Sequence, residues 1–300
     1  MGRKLFAISP LKLMGLSALT IFATLQNVKA QSTDSTKPVI ISHKKIKPTP
    51  PWFVERFSLS AGLFVPINNT VVSVNGQAGA IGTTIDFEKD LGFTKTTETF
   101  MADFQWRASR RSRFDLSYFT LNRSSTHTLQ KDITFKDSTY HATASVNAYF
   151  NTDIYRFSYG YALFTNPKFE AGLLFGLHII RIGVGIGLST GNLGADASSY
   201  KVTAPLPDFG IWGGYAISPK WAVNLEADYL NITVDNINGR ILGGNFTVSY
   251  KPIEKLKIAL GYTGLNFRVE ANEDKFAGYF KWGYNGPLLT AAFTFGKKPW

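Results

Sequence analysis

From Phe57 onward, ten stretches of the chain alternate apolar and polar residues with a period of two. Trp221, Val223, Leu225, Ala227 and Tyr229 show the pattern, with Ala222, Asn224, Glu226 and Asp228 between them. A period of two belongs to a strand whose two faces meet different surroundings. A tilted strand of about 9–11 residues is long enough to cross a bilayer. Lipid offers no hydrogen bonds to a bare sheet edge, so strands cross membranes only as closed barrels. The alternation therefore points to an all-β fold: a transmembrane, up-and-down, antiparallel β-barrel of about ten strands, with twelve or eight as alternatives.

The strands are expected at roughly 57–65, 97–107, 113–123, 146–164, 169–188, 203–217, 221–234, 241–250, 256–269 and 278–295. Short turns at 109–112, 165–168, 218–220 and 252–255 alternate with longer loops at 66–96, 124–145, 189–202, 235–240 and 270–277. Outer-membrane barrels have this habit, with short turns periplasmic and long loops outside. Hairpin registers follow from matching apolar faces. Trp106 is expected opposite Phe114, with Phe104–Leu116 and Ala102–Tyr118 following. Ile217 opposite Trp221 gives Tyr215–Val223, Gly213–Leu225, Ile211–Ala227 and Phe209–Tyr229. Tyr250 opposite Leu256 gives Val248–Ile258 and Phe246–Leu260. The first and last strands close the ring through Leu59–Phe293, Ala61–Ala291 and Leu63–Leu289.

Aromatic residues form two bands. Phe57, Trp106, Phe114, Phe169, Tyr215, Trp221, Tyr250 and Phe293 lie beside the short turns or termini, and Tyr118, Tyr229, Tyr262 and Tyr284 lie further along. Two lipid–water interfaces select such bands. The alternation changes phase in places. Phe280, Trp282 and Tyr284 are expected outward, as are Leu289, Ala291, Phe293 and Phe295, with a bulge at Gly286-Pro287 between them. Similar switches are expected near Gly264 and Arg181. Ala171 to Leu188 is apolar enough to suggest a helix, but Gly183, Gly185 and Gly187 alternate with Ile182, Val184 and Ile186. Glycine at period two weakens a helix and suits a strand with one small face.

Residues 1–30 read as a secretory signal: Arg3, Lys4 and Lys12, then an apolar run from Leu13 to Leu25, then Val28-Lys29-Ala30 before a mature start at Gln31. Residues 31–55, with Pro38, Pro48, Pro50, Pro51 and several lysines, read as a flexible periplasmic linker, and 56–300 as the barrel. The chain has no cysteine, which excludes disulfides and thiolate metal sites. Removing Arg3, Lys4, Lys12 and Lys29 leaves 28 of 32 basic residues against 21 acids. These cations are scattered, so the expected partners are outer-membrane lipids and lipopolysaccharide rather than nucleic acid.

The registers turn a set of charged and polar residues inward: Asp103, Gln105, Arg107, Asp115, Arg156, Glu170, His178, Glu226, Asp228 and Lys257. A barrel of about ten strands is narrow enough for side chains to fill. The mixed charges read either as a salt-bridged filling or as the lining of a narrow solute path, with Glu226 and Asp228 prominent. No catalytic constellation is evident. His178 lies opposite Arg156, with Gly176 and Ser158 as inward neighbours and no carboxylate in evidence to orient it. His127 and His141, near Asp132 and Asp137, match no tight metal motif. Asp86, Glu88, Lys89 and Asp90 in the first long loop either bind a cation, fold inward onto lumen arginines, or belong to an extra hairpin that makes twelve strands. The expectation is a non-catalytic, monomeric barrel with no cofactor. A lipid or peptide hydrolase and a surface adhesin or receptor are the alternatives.

Three segments carry a family resemblance: Gly82-Thr83-Thr84-Ile85-Asp86-Phe87-Glu88-Lys89-Asp90-Leu91-Gly92, Phe114-Asp115-Leu116-Ser117-Tyr118, and Asp153-Ile154-Tyr155-Arg156-Phe157-Ser158-Tyr159-Gly160-Tyr161. Thr203-Ala204-Pro205-Leu206-Pro207 leading to Gly213-Gly214-Tyr215 is similar too. Over most of 57–295 the chain resembles a group of small bacterial outer-membrane β-barrel proteins with no established activity. The resemblance implies the barrel, a bacterial outer-membrane location and handling by the barrel-insertion machinery. The last strand resembles the aromatic signal read by that machinery, although Gly296-Lys297-Lys298-Pro299-Trp300 follows Phe295.

Overall fold

The computed structural model describes residues 49–74, 83–135, 138–189, 198–234, 236–273 and 276–298. The expected signal segment and most of the expected linker lie outside these residues. The elements are β1 (Phe57–Phe64), β2 (Ile67–Val74), β3 (Thr84–Asp86), the one-turn helix α1 (Phe87–Asp90), β4 (Thr99–Arg107), β5 (Ser112–Thr128), β6 (Ile133–Phe135), β7 (Ser138–Tyr140), β8 (Ser145–Thr165), β9 (Phe169–Leu188), β10 (Ser198–Ala216), β11 (Trp221–Val234), β12 (Ile237–Ile253), β13 (Leu256–Glu273) and β14 (Phe276–Phe295).

The sheet runs β1-β4-β5-β8-β9-β10-β11-β12-β13-β14 and closes by pairing β14 with β1. The lower half of β14 pairs with β1, from Phe57–Phe295 to Phe64–Leu288. Its upper half pairs with β2, from Ile67–Asn285 to Val74–Gly278. β1 and β2 are thus one strand interrupted at Val65-Pro66, and the ring has ten strands. β3 adds to β2 within the same sheet, over three residues only, so the extra pairing in the first loop exists without adding a strand to the closed ring. β6 and β7 form a separate small hairpin. Ala171–Leu188 is strand throughout β9.

The closing pairs Leu59–Phe293, Ala61–Ala291 and Leu63–Leu289 are as expected. So are Trp106–Phe114, Phe104–Leu116 and Ala102–Tyr118, and the run from Tyr215–Val223 to Phe209–Tyr229. The β12–β13 hairpin differs: Tyr250 lies opposite Ile258, Val248 opposite Leu260 and Phe246 opposite Tyr262, with an irregularity between Tyr250 and Ile253. A slip of two residues leaves every side chain on its face, so face matching cannot detect it.

The expected phase changes are absent. Around Gly286-Pro287 the β13–β14 ladder is continuous, with Thr263–Gly286 and Tyr262–Pro287 paired in sequence. Around Arg181 the β8–β9 and β9–β10 ladders are continuous as well, as is β13 past Gly264. Phe280, Trp282 and Tyr284 stay on the inward face, and Trp282 and Tyr284 are buried. Ile180, Ile182 and Val184 of β9 are buried inward too. The reason is that the strands outrun the bilayer. Above the lipid, the outward face meets water and turns polar, while the interior is packed with an apolar core. Tyr284 therefore leaves the upper aromatic band, where Tyr118, Tyr229 and Tyr262 remain exposed. In the lower band, Trp106, Tyr215, Trp221 and Phe293 are exposed outward.

Two seams are incomplete toward the top, and at one of them the β4–β5 ladder ends at Met101–Phe119 while β5 runs on to Thr128 paired to β8. At the other, the β10–β11 ladder ends at Phe209–Tyr229, although both strands continue upward, paired on their other sides to β9 and β12. Pro205 and Pro207 lie on this stretch of β10. Proline, which has no N–H to donate, is tolerated where a strand runs as an edge.

Candidate functional site: a charged lumen

All eight charged residues expected in the lumen face inward, and the structure sorts them into layers. Lowest is Arg107 of β4, whose Nη1 donates to Glu170 Oε1 of β9 at 2.6 Å. Both side chains are almost wholly withdrawn from solvent, at 3% and 0% exposed. Next is Arg113 of β5, whose Nη2 donates to Glu226 Oε2 of β11 at 3.0 Å. That pair spans four of the ring's ten strand steps, one short of the full diameter. The same guanidinium lies 3.1 Å from Asp115 and stacks 4.0 Å above the Trp212 ring.

At mid-height Arg156 of β8 holds three acids together. It pairs with Glu226, donates to Asp228 Oδ1 at 2.7 Å and lies 3.5 Å from Asp208 Oδ1. The other oxygen of Asp208 is 2.8 Å from His178 Nδ1. The expectation of no carboxylate beside His178 is therefore wrong: Asp208 orients the ring, from the neighbouring strand β10. Two glycines make room for this crowding. A side chain on Gly176 would begin 2.5 Å from Asp208 Oδ2, and one on Gly243 would begin 2.4 Å from Asp228 Oδ2. Asp103 accepts from Ser60 at 3.2 Å, and Asp115 accepts from Gln105 at 2.6 Å. Between these groups lie a polar chamber of roughly 230 Å³, faced by Lys257, Asn224 and Asp115, and a smaller one of roughly 100 Å³ above it, faced by His178 and Asp228.

Both ends of this region are covered. Below, the residues before β1 fold across the rim: Trp52 Nε1 donates to Ser218 O at 2.9 Å, and Val54 is fully buried. The Phe53 ring lies against Gly214, an inward position of β10. Above, Phe64, Phe119 and Tyr284 meet edge-on or tilted, with centroids 5.2–5.5 Å apart. Higher still, Phe150 of β8 reaches Trp282 of β14 across four strand steps, at 5.3 Å. α1 sits in this upper part. Its Asp86 cap accepts from Lys89 N at 3.0 Å. Glu88 points inward, accepting from Arg123 Nη2 at 2.6 Å and from Thr70 N at 2.8 Å. Burial raises the Glu88 carboxyl above its ordinary range, partly offset by the Thr70 N–H and by Arg123. Of the roles considered for the acidic loop cluster, Glu88 shows the inward fold onto an arginine, while Asp86 takes part in the short β2–β3 pairing. Asp90 instead pairs with Lys131 at 2.9 Å.

Sequence reasoning missed three partners. Asp208 shares its face with Trp212, and the outward Phe209 already implied that it points inward. Arg113 and Arg123 share the inward face of β5 with Asp115, but they fell at the ends of the expected strand. In the outer loops His141 Nδ1 lies 3.2 Å from Asp132, and no third ligand joins them among the described residues. Asp137 lies outside the described residues.

With this geometry in hand, comparison with known proteins tests the fold. The outer-membrane protease OmpT of Escherichia coli superposes with a TM-score of 0.52, over 81% of this chain and 100% of that one, at 11% identity. The Pseudomonas putida toluene transporter TodX (TM-score 0.34, 8% identity, 83% and 94% of the two chains) and Ail, the attachment invasion locus protein of Yersinia pestis (0.32, 8%, 77% and 99%), are looser likenesses and carry no argument. No protein-family model and no curated protein matches the sequence. At that identity the OmpT likeness establishes the fold and nothing finer: the chain has the closed antiparallel β-barrel fold seen in outer-membrane proteins.

Proposed function

We propose that the protein is a non-catalytic outer-membrane barrel with a permanently filled lumen, which holds its extracellular rim rigid and conducts no solutes. The observation that carries this reading is the set of side-chain chords across the ring. Arg113–Glu226 and Phe150–Trp282 each span four of ten strand steps, so they lie across the path a solute would take. Opening a path would break the partly buried Arg113–Glu226 pair and part the Phe150–Trp282 rings. Solute-induced swelling of proteoliposomes tests the reading. The expected rate for arabinose and for glycine is that of protein-free vesicles, and faster swelling with either contradicts it.

The rival is a hydrolase that uses His178. Against it stands the seclusion of the His178–Asp208 pair, at 6% and 0% exposed with Arg156 beside it. A general base must come within about 2.6–3.2 Å of the proton it takes, directly or through one water. Incubation with lipopolysaccharide, phospholipid and peptides, followed by mass spectrometry, is expected to give no product. Turnover that disappears in His178→Ala would establish the rival.

A further inference from the structure

We infer that the outer wall of β8, β9 and β10, just above the lipid, carries a binding groove for a phosphorylated sugar headgroup, that of lipopolysaccharide in the outer leaflet. The groove has a volume of roughly 340 Å³ and is lined mainly by outward-facing residues, with Ile182 and Val202 of the inward-facing set also reaching it. Two rows of the sheet form it. Asp153, Arg181 and Thr203 lie side by side in one row, and Asn151, Gly183 and Lys201 in the row above.

Its height follows from the register. The row below contains Tyr155 and Ile179. Tyr155 packs at a tilt against Tyr118 of the upper aromatic band, with centroids 4.9 Å apart. The groove therefore begins two residues above the aromatic level and ends four above it. At about 3.3 Å per residue and a tilt near 40°, its upper row stands roughly 10 Å above the aromatic rings. That is headgroup height, where acyl chains have ended.

Its shape is set by glycine. A side chain added at Gly183 would meet nothing closer than 3.9 Å, so this position is an open floor. One turn of the pleat higher, the Tyr149 ring lies directly over Gly185, where an added carbon would sit 2.4 Å from it. Tyr149 thus forms a flat wall suited to a sugar face, and the Lys201 stem forms the opposite wall.

Its charge is the second element. Neither Arg181 nor Lys201 forms an ion pair among the described residues. The Arg181 guanidinium lies 5.3 Å over the Tyr155 ring and donates no hydrogen bond to protein among the described residues. Two cations over an open floor suit a phosphate, for which arginine supplies paired donors. Asp153 is already fixed by the Tyr118 hydroxyl, at 3.1 Å, and beside Asn151 and Thr203 it can accept from sugar hydroxyls. Cations beside hydroxyl acceptors fit a phosphorylated sugar better than a bare anion or a glycerophospholipid.

The test uses the full-length barrel in detergent, titrated with purified lipopolysaccharide, with dephosphorylated lipopolysaccharide and with phosphatidylglycerol. Folding of each variant is checked by its heat-dependent shift in gel mobility. If each basic residue near a charged lipid surface contributes about 1 kcal/mol, Arg181→Gln with Lys201→Gln weakens lipopolysaccharide binding roughly 30-fold. Gly183→Leu fills the floor while keeping every charge, and is expected to weaken binding at least as much. The dephosphorylated lipid and phosphatidylglycerol are expected to bind the unaltered protein more weakly. The proposal is overturned if folded Gly183→Leu binds like the unaltered protein, if the double variant does, or if phosphatidylglycerol binds equally well.

Discussion

Removing the carboxylate of Glu170 tests the claim that ion pairs hold the lumen closed. Arg107 and Glu170 come from strands three steps apart in the ring, at 2.6 Å, with 3% and 0% of their side chains exposed. Glu170→Gln keeps the shape and leaves the guanidinium buried without its counter-charge. Loss of one member of a buried pair typically costs about 3–5 kcal/mol. Here the pairing uses one oxygen and one nitrogen, and Glu170 Oε2 and Arg107 Nε have no hydrogen-bond partner. The lower end, about 3 kcal/mol, is therefore expected. Replacing both residues with apolar side chains of similar volume, Arg107→Met with Glu170→Leu, removes the desolvation penalty along with the attraction. It is expected to cost less than Glu170→Gln alone. The assay is equilibrium urea unfolding in lipid vesicles, followed by tryptophan fluorescence and compared at equal m-value. The reasoning is refuted if Glu170→Gln costs less than about 1 kcal/mol, as an exposed pair would. It is refuted equally if the apolar pair is the more damaging change.

Two further outcomes follow from the same structure. Gly176→Ala would place a carbon 2.5 Å from Asp208 Oδ2, so Asp208 must leave His178; the variant is expected to lose stability in the same urea assay, and His178→Ala is expected to cost little more when added to it. In the outer loops, the Ala142 N–H and His141 hold the exposed Asp132 carboxyl below its ordinary value of 3.8. A lowered native pKa favours the native state above the unfolded value, and that advantage is lost as pH falls through the native one. NMR titration is expected to show the β6–β7 hairpin contacts persisting below pH 3.8 and weakening only at stronger acid, whereas Asp132→Asn removes the dependence.

How much of this was legible in the sequence depended on what each face touches. Within the bilayer the outward face must be apolar, so Leu59–Phe293 and Phe209–Tyr229 were placed correctly by alternation alone. Above the bilayer the same rule inverts. Trp282 is apolar because it is inside, and reading it as lipid-facing implied a bulge at Gly286-Pro287 that the ladder does not contain. The β12–β13 slip escaped notice because a two-residue shift preserves faces. The charged lining was legible as a list, but its pairings were not. Glu226 meets Arg113 and Arg156 from across the ring, and no periodicity along one strand encodes which chord a side chain will span. Glu88 reaches Arg123 from a loop whose path depends on α1, a single turn with no amphipathic signature of its own.

The central claim is that layers of side chains, not an empty channel, occupy the axis of the ten-strand ring. Single-channel recording in a planar bilayer addresses it most directly. With purified, folded protein inserted and confirmed by gel mobility, the account expects current indistinguishable from the bare membrane in molar potassium chloride at either polarity. Reproducible conductance steps that scale with the amount of inserted protein would contradict it.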